Sequence, residues 1–280
     1  MRRRQFLKTT LTAVGALIVG VRCSTDADDG PQALKVVDAS ALFPQSVAAG
    51  DPRFDGAIVW ARVVVGDAAA DTPLLLEVAT DSAFKNLVKL DGKFRRAVTA
   101  TAMFDHCIKV RLTGLKPATG YFYRFLHETG GTYGASRTGA FKTAPTADSD
   151  ATVRFAVASC QDFNGKYYNT YRRMLSEDID FFIHLGDYIY ETTGNKLFQD
   201  TSADRAVKFT DLAGAITLGK GTENEHQAAN SLDNYRELYR TYRGDEDLQA
   251  MHEKAAMIAI WDDHEFSDDC WGANATYLDG

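Results

Sequence analysis

The chain has 280 residues, 45% hydrophobic and 25% charged, with only six prolines and a formal charge of −7. That length and balance allow one or two packed domains and exclude collagen-like, coiled-coil and disordered chains. The cations Arg2, Arg3, Arg4, Lys8 and Arg22 sit within the first 22 residues, so the remainder is more acidic than the total and repels nucleic acid at long range.

The N-terminus reads as a targeting segment. Arg3-Arg4-Gln5-Phe6-Leu7-Lys8 matches the twin-arginine pattern, and a weakly apolar run from Thr9 to Val21 follows it. The run is shorter than the roughly 20 residues that cross a bilayer. A signal peptide over residues 1–27 is therefore expected in place of a membrane anchor. Its partner is the twin-arginine translocase, and the destination is the periplasm or the exterior. Arg22 before Cys23 breaks a lipoprotein pattern.

Residues 38–145 read as a β-sandwich domain. Gly56 to Val65 and Leu74 to Thr80 are β-rich runs, and Cys107-Ile108-Lys109-Val110-Arg111-Leu112 alternates apolar with polar. Thr113-Gly114-Leu115-Lys116-Pro117-Ala118-Thr119-Gly120 turns into Tyr121-Phe122-Tyr123-Arg124-Phe125. Strands at that spacing between Gly and Pro turns predict a sandwich, and the segment resembles fibronectin type III modules. The stretch Phe141 to Pro145, then Thr146 to Asp150, reads as a polar linker and marks the boundary.

The period then changes. Val153 to Ser159, Phe181 to Leu185 and Ala255 to Trp261 are near-continuous apolar strands, and Tyr168 to Glu177 and Asn234 to Lys254 have helical spacing. The charged run Arg243 to Asp247 reads as a solvated helix boundary. Residues 192–232 lack a period and predict an inserted loop region with short helices. The order describes α/β architecture over residues 151–280, with sites at strand C-termini.

Each buried strand ends in a polar burst: Ser159-Cys160-Gln161-Asp162, Gly186-Asp187-Tyr188-Ile189-Tyr190-Glu191 and Asp262-Asp263-His264-Glu265. In an open α/β sheet these tips converge on one crevice, where thiol, carboxylate, phenol and imidazole make a cation cage. Taken singly, Cys160 reads as core packing, Tyr190 as a core aromatic, and Asp263-His264 as a helix N-cap beside a surface histidine. The conjunction of three such tips favours the cage. His184, inside its strand, reads as a satisfied core histidine. Cys107 and Cys270 read as structural, and the four cysteines show no CxxC or zinc-finger spacing.

Gly186-Asp187-x-x-Tyr190 is similar to the metal-bridging motif of calcineurin-like metallophosphoesterases in their purple-acid-phosphatase form. Together with Ala158-Ser159-Cys160-Gln161, Trp261-Asp262-Asp263-His264-Glu265 and the front segments Phe43 to Pro52 and Val59 to Arg62, it resembles the alkaline phosphatase D family. The resemblance implies a fibronectin-III-like β-sandwich followed by the first half of a metallophosphoesterase αββα sandwich, an α/β plus all-β chain. It implies a binuclear site of Fe3+ and Ca2+. Cys160 serves as a thiolate ligand, Asp187 as the bridging carboxylate, Tyr190 as a phenolate, Asp263 as ligand of the second cation and His264 as the catalytic donor to phosphate. The implied substrate is a small phosphoester. The family's domain continues beyond residue 280 with further Asp and His ligands, so a truncated chain holding a partial site is expected. The alternative is an inert fragment carrying a β-sandwich binding module.

Overall fold

The computed structural model describes residues 32–200, 204–271 and 276–277, so the expected signal peptide lies outside the described residues. None of the described helices is long and apolar enough to cross a membrane.

Apart from two short 3-10 turns, Ser40–Leu42 and Ala102–Phe104, the regular structure of the first half is strand: β1 (Val36–Asp38), β2 (Val47–Arg53), β3 (Gly56–Arg62), β4 (Thr72–Ala79), β5 (Arg95–Ala100), β6 (Cys107–Leu112), β7 (Gly120–Thr129), β8 (Thr132–Ala135) and β9 (Gly139–Lys142). One sheet runs β1-β8-β7-β4-β5, with β9 paired to β7. The alternation read in β6 is the alternation observed, with Ile108, Val110 and Leu112 buried. Those side chains meet Val59 of β3, Leu76 and Val78 of β4, and Tyr123 of β7 in one core. Within that sheet the carboxylate of Glu77 on β4 is buried between Arg95 of β5 and Arg124 of β7, 2.7 Å from each.

The second half contributes β10 (Phe155–Ala158), α1 (Asn169–Met174), β11 (Phe181–His184), β12 (Thr192–Thr193), β13 (Ala215–Leu218), β14 (His226–Ala229), α2 (Leu232–Tyr242), α3 (Glu246–Lys254) and β15 (Ala256–Ala259). Strands β10, β11 and β15 are parallel neighbours. The sheet does not stop there. β15 pairs in parallel with β2 at Met257 and Gly50, and the order continues β10-β11-β15-β2-β3-β6 across the polar linker.

The helical reading of 234–254 resolves into two helices. Ser231 and Asn234 form a reciprocal capping box at the start of α2. The chain then turns at Gly244, and the Asp245 carboxylate caps α3 by accepting the Leu248 N–H at 2.9 Å. Arg205 reaches the same carboxylate at 2.6 Å. Residues 192–232 differ from expectation: among the described residues they carry no helix before α2, and β12, β14 and β13 form a small antiparallel sheet. Strands of two to four residues are too short to imprint a period on the sequence.

The helices cover one face of the parallel strands, where Phe182 packs with Leu238, Leu248 and Met251. The opposite face is apolar and bare, with Phe155 51%, Val157 48% and Ile258 41% exposed. Parallel strands are ordinarily covered on both faces.

Candidate metal centre

All three polar bursts emerge at the C-terminal edge of β10, β11 and β15, because the strands are parallel and in register. Backbone bonds then lace the loops together. The Cys160 N–H donates to the Gly186 carbonyl at 3.1 Å, and the Gln161 N–H to that of Asp187 at 3.0 Å. Cys160 and Asp187 both hold left-handed backbone, at φ 56° and 55°. For residues with a side chain such a conformation costs about 1–3 kcal/mol and persists only when the surroundings enforce it. Gly186, at φ 101°, is required: a Cβ there would stand 2.4 Å from Asp262 Cβ.

The expected site residues gather. The ligand atoms of Asp187, Asp263 and His264 lie within 4.8 Å of one another. The Tyr190 hydroxyl donates to Asp187 Oδ2 at 3.2 Å. Its acidity is suppressed first by burial, then by the neighbouring Asp187 carboxylate and the nearby Cys160. Cys160 is exposed and falls outside the tightest trio, joining it through Tyr190. The trio has the chemistry of a cation site on one further ground. Asp187 is buried, and among the described residues its Oδ1 has no hydrogen-bond partner. A buried carboxylate oxygen without a donor is costly, and a cation there would satisfy it.

His264 is oriented from behind. Its Nδ1 lies 2.8 Å from Oε2 of Glu191, and its ring packs over Tyr190 at 4.1 Å between centroids. Burial lowers the imidazole pKa, but the hydrogen bond to Glu191 and the charges of Glu191, Asp187 and Asp263 outweigh it and raise the pKa to about 9. Glu191, fully buried, also accepts from the Asp268 N–H at 2.8 Å and from the Tyr277 hydroxyl. Asp268 and Asp269 gather with Asp263 as a second acidic trio; no motif singled them out. Asp262 is exposed and caps the short 3-10 turn that carries Asp263 and His264.

His184 is buried at the end of β11, as read, but it is not satisfied: neither ring nitrogen has a hydrogen-bond partner among the described residues. Burial lowers its pKa to about 4. His252 is also buried, with its Nε2 2.7 Å from the Tyr188 hydroxyl.

Fold and site together define a sheet-rich α/β protein with few helices, whose parallel strands aim a thiol, carboxylates, a phenol and an imidazole at one edge. Residues 155–279 match the family model for PhoD-like phosphatase, and residues 31–145 match the model for its N-terminal domain. Alkaline phosphatase D of Bacillus subtilis (strain 168) is 32% identical over 232 residues, covering 80% of this chain and 35% of that protein. A solved structure of PhoD superposes with a TM-score of 0.66 at 29% identity, covering 83% of this chain and 41% of that one. The chain belongs to the PhoD-like phosphatase family. It spans about a third of the length of the curated relative it matches.

Proposed function

We propose that this chain carries the front part of an exported phosphoester hydrolase that acts through metal-activated water at a binuclear centre. On this reading residues 1–27 are a twin-arginine signal peptide, 38–145 a fibronectin-III-like sandwich and 151–280 the first half of an αββα metallophosphoesterase domain. The protein works in the periplasm or outside the cell on small phosphoesters. The observation that carries the reading is the buried, unpartnered Asp187 Oδ1 within reach of Asp263 and His264.

Cys160, Asp187 and Tyr190 would hold Fe3+, with Asp187 shared and Asp263 holding Ca2+. Thiolate and phenolate donors suit the ferric ion, and carboxylate oxygens suit calcium. Such a pair supplies Lewis acidity toward phosphoryl oxygens and lowers the pKa of water. The protein's own part is positional. Glu191 takes the Nδ1–H of His264, and Nε2, 3.7 Å from Asp268 Oδ1, is the remaining donor. From there a protonated His264 would hydrogen-bond a phosphoryl oxygen and then protonate the departing alkoxide, as the water oxygen bonds to phosphorus, its proton passes to solvent and the P–O ester bond breaks. The Tyr190 ring packs against the imidazole at a 32° tilt, with 4.1 Å between centroids.

The test is release of inorganic phosphate from a phosphomonoester, or of the alcohol from a phosphodiester, by the purified full-length protein. Loss of that release in Asp187→Asn, and on treatment with a chelator, is expected; release that survives both sinks the reading. A second reading, a non-catalytic chain with a binding sandwich, is favoured by the bare face of β10, β11 and β15. It requires no stoichiometric iron and no hydrolysis above background.

A further inference from the structure

We infer that Glu265 is the positioning residue for Asp187, setting where its carboxylate stands without itself touching a cation. The inference rests on Asp187 being a metal ligand.

Glu265 is only 7% exposed, and among the described residues no Lys or Arg pairs with it. Backbone amides take that role. Oε2 accepts from the Asp187 N–H at 3.1 Å and the Asp262 N–H at 2.6 Å; Oε1 accepts from the Tyr188 N–H at 2.5 Å, with that of Ile189 at 3.4 Å. Both oxygens are thus committed to N–H groups from two different loops, those following β11 and β15. A buried carboxylate satisfied by several backbone N–H groups is stable without a counter-cation.

The Asp187 side chain has no comparable anchor. Oδ2 accepts only from Tyr190, and Oδ1 has no partner among the described residues. Its location therefore follows from its backbone, which is left-handed and needs outside support. Glu265 binds the N–H of Asp187 and of the next residue, so it supplies that support directly. The two loops also approach so closely that a Cβ at Gly186 would collide with Asp262. Glu265 closes the circuit: the residue two places beyond Asp263 on one loop fixes the shared ligand on the other.

The full chain, loaded with citrate-buffered Fe3+ and followed by the visible tyrosinate absorption, tests this by competition with a chelator. Glu265→Gln keeps the shape but turns an NH2 toward amide donors. It is expected to weaken apparent iron affinity 10–100-fold, the range typical of groups that orient a ligand. Glu77→Gln, which loosens the distant sandwich, is the control: it lowers the melting temperature and leaves iron affinity unchanged. Equal affinity in Glu265→Gln and the parent overturns the inference, as does an equal loss in Glu77→Gln. If Glu265→Gln does not fold, Glu265→Asp, which keeps the charge and shortens the reach, carries the same comparison. Failure of both to fold makes Glu265 a purely structural residue and also overturns the inference. Absence of the band in the parent protein instead overturns the metal reading on which the inference rests.

Discussion

A single imidazole shows how the site is tuned. His264 is held by Glu191 at 2.8 Å and titrates near 9 despite its burial. Its folded pKa stands above the ordinary 6.5, so the stability it contributes is full below about pH 6.5 and is lost as pH rises through about 9. In the metal-free protein, Glu191→Gln removes the leading favourable interaction. The imidazole titration followed by proton NMR is then expected to move down by more than one pH unit; an unmoved titration contradicts the assigned partner. The sequence made Cys160, Asp187, Tyr190, Asp263 and His264 legible because each stands in a polar burst after an apolar strand. Glu191 and Glu265 lie in the same bursts and had no visible role. Accepting a backbone N–H from a loop more than 70 residues away leaves no mark on spacing.

The elements were legible where one face is buried and the other is not. β6 is such a case, and its bounds coincide with the alternating run Cys107–Leu112. What local pattern cannot show is pairing between distant strands. Gly50 meets Met257 across more than 200 residues, and neither strand's sequence names its neighbour. The same non-local pairing buries Glu77, which lies directly opposite Arg95 on one side and Arg124 on the other. Removing its charge leaves two guanidiniums facing a neutral group at the sheet interior. Glu77→Gln is therefore expected to cost about 3 kcal/mol of unfolding free energy, measured by urea denaturation. A change below about 0.5 kcal/mol would place the triad among ion pairs of no structural consequence.

For the molecule as a whole, acid is the predicted weakness. His184 is held neutral by burial, with a folded pKa of about 4, and His252 is lowered in the same direction. The unfolded chain takes up these protons from about pH 6.5 downward, so stability falls as pH drops from about 6.5 to about 4. His184 alone accounts for up to about 3 kcal/mol of that loss. His184→Phe fills the site without a titrating nitrogen, and the melting temperature should then fall less steeply over that window. An unchanged slope would assign the acid loss to other groups. At this scale the sequence predicts two domains with a boundary near residue 145, but it could not show one sheet running across that point, nor one face of that sheet left bare.

The account stands on Cys160, Asp187, Tyr190 and Asp263 converging on bound cations. The most direct measurement is iron content together with the visible spectrum of the purified protein and of its Tyr190→Phe variant. The account predicts bound iron in the parent and a phenolate-to-iron absorption band that disappears in the variant. Protein free of iron after loading, or a band that survives loss of the Tyr190 hydroxyl, would contradict it.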